Sequence, residues 1–204
     1  MFADIGKNSY LCSMMKKLLL VVLVCLCGSG ASAQGYRPYL TVGKESVKFQ
    51  GGYSDLLDPG SAFKIGAGCY VPLINDVEFY IVPELSYSSF KFEDHDWIPR
   101  AQTFRYSQIH LPIVADYCIK FTDMVTLDLG TGPFVSYGFG KDAIDKGHMG
   151  HWNTGIALRA SLRVYFLKVG FSYDIGLVDI RRYGTYDDSK ERLSMLGLSF
   201  GICI

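Results

Sequence analysis

The sequence predicts an all-β fold, an eight-stranded antiparallel up-and-down transmembrane β-barrel. Three observations carry that prediction. Strand-like segments alternate with period two, so one face is apolar and the other is small, polar or charged. The connections between them alternate long and short, as in barrels with short periplasmic turns and longer external loops. After residue 33 no stretch offers the roughly 20 apolar residues that a helical span needs, so a membrane role falls to strands.

The pattern is clearest in residues 152–180, WNTGIALRASLRVYFLKVGFSYDIGLVDI. Ile156, Leu158, Ala160, Leu162, Val164 and Phe166 share one face, and Gly155, Ala157, Arg159, Ser161, Arg163 and Tyr165 share the other. After a tight break placed near Leu167-Lys168, Val169, Phe171, Tyr173, Ile175 and Leu177 oppose Lys168, Gly170, Ser172, Asp174 and Gly176. Two long strands with almost no loop make a hairpin. A soluble sandwich would turn its apolar face to a core. Here the charges need a shared interior, so the apolar face is assigned to lipid.

Residues 1–33 read as a secretory signal with an upstream start extension. Lys16 and Lys17 form the positive region, residues 18–27 the apolar run, and Ala31-Ser32-Ala33 the small-residue cleavage site. Met14 or Met15 is the expected start. Cys25 and Cys27 follow Val24 and Leu26, residues too large for lipoprotein processing. Removing the signal takes three lysines and one aspartate from a chain with 20 basic and 20 acidic side chains. The remainder is slightly acidic, with no basic excess to hold nucleic acid. Cys69, Cys118 and Cys203 remain, too widely spaced for a zinc site or a disulfide framework.

Residues 34–204 are expected to form the barrel. Residues 36–43 make the first strand, with Pro38, Leu40 and Val42 outward. Residues 44–61 form a connection rich in Gly and Pro. Residues 62–71 alternate Phe63, Ile65, Ala67, Cys69 and Val71 against Lys64, Gly66, Gly68 and Tyr70. Residues 77–88 set Val77, Phe79, Ile81, Leu85 and Tyr87 against Glu78, Tyr80, Val82, Glu84 and Ser86, with a bulge or distortion expected at Pro83. A charged connection, 89–103, leads to residues 104–119, where Ile109, Leu111, Ile113, Ala115 and Tyr117 oppose Gln108, His110, Pro112, Val114, Asp116 and Cys118. Residues 125–137 oppose Leu127, Leu129, Val135 and Tyr137 to Thr126, Asp128, Gly130, Gly132 and Ser136. The loops 138–151 and 179–192 flank the hairpin, and residues 193–204 close the set.

Parity therefore collects an interior charge network: Lys64, Glu78, Glu84, Asp116, Asp128, Arg159, Arg163, Lys168 and Asp174. Unpaired buried charge is very costly, so near balance of sign suits a closed interior. Eight strands also leave an interior that side chains can fill. Asp128 is expected beside the arginines, with Asp174 bordering them from the next strand. His110 reads as a hydrogen-bonded interior histidine. His148 and His151 lack a third ligand for a metal, and the acidic run at 93–96 reads as a solvated loop. The segments Gly130-Thr131-Gly132 and Gly138-Phe139-Gly140-Lys141 lack Walker spacing, and no nucleophile-elbow sequence occurs.

Three stretches, IHLPIVADY (109–117), LDLGTGPFVSYG (127–138) and YDIGLVDI (173–180), resemble the small outer-membrane β-barrel family, OmpA/OmpX-like, also termed the porin family or outer membrane protein beta-barrel domain. The resemblance covers nearly all of residues 34–204 and implies a Gram-negative outer-membrane location. It also implies outer-membrane lipid and, during biogenesis, the barrel-insertion machinery as partners. Such barrels commonly end in an aromatic residue. This chain ends in Ile204, with Phe200 four places earlier.

The expectation is a non-enzymatic structural or surface-interaction protein, not an open porin, with no cofactor and an extracellular ligand engaged, if any, at the four long loops. Three alternatives stand beside it. One is a narrow porin-type channel. Another is a secreted lipocalin-like barrel, and the last is a small barrel enzyme acting on outer-membrane lipid, for which His95, His148 and His151 are the candidates.

Overall fold

The computed structural model describes residues 36–50, 60–73, 78–94, 102–140, 150–182 and 190–204. Within residues 37–204 eight strands follow one another: β1 (Arg37–Gln50), β2 (Gly60–Pro72), β3 (Phe79–Asp94), β4 (Gln102–Thr122), β5 (Val125–Phe139), β6 (Trp152–Val164), β7 (Leu167–Arg182) and β8 (Lys190–Cys203). Each pairs antiparallel with the next, and β1 pairs with β8 from Tyr39↔Cys203 to Gln50↔Arg192, which closes the barrel and leaves no sheet edge. Among the described residues there is no helix.

Closure decides which face is which. Phe63 is 65% exposed and its neighbour Lys64 3%. The same contrast runs round the wall: Leu40, Ile65, Ile113, Leu158, Phe171, Leu198 and Phe200 point out, and Thr41, Glu84, Asp116, Arg163 and Asp174 are buried within. A continuous apolar exterior of this extent does not suit water. It is the surface of a lipid-spanning barrel, whose strands need only ~9–11 residues to cross.

The buried apolar side chains form two clusters. Near the short turns, Tyr39, Tyr70, Tyr80, Val82 and Cys118 pack together. Toward the long connections lie Val47, Ala62, Phe90, Tyr106, Phe134, Ile180, Leu193 and Met195. The ionised residues interleave with them: Asp128 pairs in register with Cys118, and Lys168 and Arg163 lie against the Tyr39 and Tyr70 rings. Glycine makes room for the rings: a Cβ on Gly68 would overlap the Tyr39 ring, and one on Gly138 the Tyr106 ring.

Strand ends differ from the sequence reading mainly at the long connections. β1 runs to Gln50, β3 to Asp94 and β4 starts at Gln102, so part of each expected loop is paired strand. Toward the long connections the outward face turns polar, as at Lys91 and Arg105, while Phe90 and Tyr106 stay buried within, so the sense of the alternation inverts, yet backbone pairing continues, as in Glu93↔Thr103. Pro83 does not shift the register: Pro83↔Ile113 and Ser86↔His110 lie on one ladder, which only skips the residues between. The shifts fall instead between Lys120 and Thr122, and in β7 between Ile175 and Arg181. The β7 irregularity lets Leu177 and Val178 both face outward and turns Ile180 inward. The β6–β7 turn is Tyr165-Phe166, earlier than the expected break. Both turn residues are aromatic and exposed, so hydropathy does not fall where the chain reverses.

Candidate functional site

β5 and β6 bring Asp128 and Ser161 into register, two residues from Arg163. Arg163 grips the Asp128 carboxylate with two bonds, Nε at 2.7 Å and Nη2 at 2.8 Å. Tyr70 donates its hydroxyl to the same carboxylate at 2.8 Å and Ser161 at 3.1 Å. Nearly every lone pair of Asp128 is used, the condition under which a buried ion pair is tolerated. The Arg163 guanidinium also lies 4.5 Å over the Tyr70 ring and reaches Cys118 Sγ at 3.4 Å.

A second group spans β1, β2, β3, β4, β6 and β7. Lys64 Nζ sits 3.2 Å from Glu45 Oε1 and 2.9 Å from Glu84 Oε1. Arg159 lies 3.5 Å from both Glu84 and Asp174, linking two carboxylates across the lumen. His110 Nε2 is 3.1 Å from Asp174 Oδ2, with its ring against Phe134. Tyr39 donates to Glu84 Oε2 at 2.9 Å.

The other three of the nine residues picked out by parity have different surroundings. Asp116 is buried, and its Oδ1 has no hydrogen-bond partner. Lys168 is buried with Nζ 3.9 Å over the Tyr39 ring and 4.8 Å over the Tyr70 ring, a cation–π box in place of an ion pair. Both border a cavity of about 30 Å³ whose lining includes Glu84, Arg159, Ser161 and Ser172. Glu78 stands apart from the network. It precedes β3 at the open rim and pairs there with Lys120, whose side chain is half exposed. Its hydrogen bond to the Lys120 ammonium holds the Glu78 carboxyl below the usual carboxylate range, with burial acting weakly the other way. Sequence reasoning missed Glu45, because residues after Gly43 read as loop. Continuing the alternation through Tyr39, Thr41 and Gly43 would have placed Glu45 inside.

His151 is exposed, with Nδ1 3.1 Å from Gly138 O and its ring stacked 5.4 Å from Tyr137. The candidates His95 and His148, and the run at 95–96, lie outside the described residues. So do the proposed signal segment and the break at its cleavage site. Among the described residues no three His, Cys, Asp or Glu side chains gather as metal ligands.

No family model matches the chain, and no curated protein matches it in sequence. Solved structures do. The outer membrane protein OprG from Pseudomonas aeruginosa is similar at 10% identity over 82% of this chain and 95% of that one, with a TM-score of 0.53. Neisserial surface protein A is similar at 14% identity, covering 83% and 99%, TM-score 0.49. Ail, the attachment invasion locus protein of Yersinia pestis, is similar at 13% identity, covering 83% and 100%, TM-score 0.40. These are small eight-stranded outer-membrane barrels. The likeness to OprG establishes the shared fold, the one that the three sequence motifs resemble.

Proposed function

We propose that this chain is a non-enzymatic outer-membrane barrel with a plugged interior, working as a structural or surface-interaction protein through its long connections. The observation that carries the reading is the paired charge packed inside the wall. Two charge groups, Asp128 with Arg163 and Glu84 with Lys64 and Arg159, are paired among buried aromatic and apolar side chains. The cavity beside Asp116 has room for about two waters and does not make a pore.

Planar-bilayer recording tests this. The full chain, reconstituted, is expected to give no large steady conductance, and a sustained open level would return the narrow-channel reading. The lipocalin-like reading is disfavoured by the same interior, since a carrier needs an apolar pocket of roughly 300–1,000 Å³. The β1–β2, β3–β4, β5–β6 and β7–β8 connections are where an extracellular ligand would bind in this proposal, and outer-membrane lipid and the insertion machinery are its expected partners.

A further inference from the structure

The outward face of β3 and β4 changes chemistry in rows as it approaches the long connections. Leu85 and Leu111 are apolar. Next comes an aromatic row: Tyr87 and Phe139 lie 6.2 Å apart, and Tyr137 meets Trp152 edge-on at 5.0 Å. Above it the Tyr87 hydroxyl donates to Ser107 at 3.2 Å, and Ser107 donates to Ser89 at 3.0 Å. The next outward row is Lys91 directly opposite Arg105. Both are exposed, and neither side chain has a partner among the described residues. Lys44 and Lys48, also exposed, stand outward on β1, and Ser61 on β2 pairs in register with Lys91.

Like charges directly across a ladder destabilise a sheet. Their Cβ atoms lie about 4.5–5.5 Å apart, close enough for one phosphate to receive bonds from both. Rings and hydroxyls beneath place this pair at headgroup depth, because Tyr and Trp sit at the membrane–water boundary.

We infer that Lys91 and Arg105 form an outward-facing site for the phosphate of an anionic lipid headgroup, seated above the Tyr87–Ser107–Ser89 chain. This rests on the barrel lying in a membrane as proposed above, and it adds a specific lipid contact on one side of the wall.

The test uses the full chain in phosphatidylcholine nanodiscs with and without phosphatidic acid. Native mass spectrometry of the released barrels reads which lipid stays bound. The wild type is expected to prefer phosphatidic acid by more than five-fold. Lys91→Gln and Arg105→Gln are each expected to lower that preference about five-fold, from the usual strength of a basic side chain at an anionic surface. Lys120→Gln, at the opposite rim, is expected to leave it unchanged, and excess inorganic phosphate is expected not to displace the lipid. Equal retention of both lipids by the wild type would overturn the inference, as would a double variant that keeps the preference or displacement by free phosphate. Heat-modifiable gel migration checks that each variant is folded. A wild type that never enters the bilayer brings down the barrel-in-membrane reading together with this one, whereas insertion without lipid preference brings down this one alone.

Discussion

Asp128 is where the interior depends most on one side chain. Its carboxylate receives Arg163, Tyr70 and Ser161 together. Asp128→Ala removes all of these at once and leaves a buried guanidinium facing only a ring and a thiol. Breaking a buried pair in this way costs about 3–5 kcal/mol. We expect that loss in urea unfolding of the lipid-embedded barrel, and a variant within 1 kcal/mol of wild type would show that water replaces the carboxylate. The pairing of Asp128 with Arg163 of strand six can be read from parity, because successive inward positions on neighbouring strands must meet, whereas Arg159 turns to Glu84 and Asp174. The contrast between Asp128 and Asp116 cannot. Both are inward acids on adjoining strands, but only Asp128 has Ser161 opposite and Arg163 beside it, while Asp116 faces Gly130.

At the level of single elements, the β6–β7 turn carries a cost of its own. Tyr165 has φ 56°, a left-handed conformation that a side chain makes unfavourable by about 1–2 kcal/mol. It is the first of two central residues, the position where primed hairpin turns favour glycine. Tyr165→Gly is expected to stabilise the barrel by up to about 1 kcal/mol, after glycine's own entropic cost. Tyr165→Val, β-branched at the same φ, is expected to destabilise it. Equilibrium unfolding of the two variants side by side decides the matter; the same sign for both would mean that the aromatic ring at the membrane edge outweighs the backbone. The strands themselves were legible from alternation wherever one face meets lipid. Their outer ends were not, because past Gly43 of β1 the contrast inverts, with Lys44, Ser46 and Lys48 exposed and Glu45 and Val47 buried, although Lys44 to Val47 pair on both edges.

Across the whole molecule, every short connection lies at one end of the barrel and every long one at the other. With the chain in an outer membrane, surface proteolysis of intact cells is expected to cut in the β1–β2, β3–β4, β5–β6 and β7–β8 connections. The β4–β5 turn at Asp123-Met124 and the β6–β7 turn at Tyr165-Phe166 are expected to stay intact until the cells are opened. Cuts at those turns in intact cells would invert the orientation.

The amino-acid order alone determined the number of strands, their parity and the segregation of charge from grease, since each follows from side chains alternating along a pleated backbone. Only the closed structure decided which charges touch. Distance across the lumen depends on register and tilt between strands far apart in sequence. That geometry put Lys168 over two tyrosine rings, brought Glu45 to Lys64 and left Glu78 at the rim.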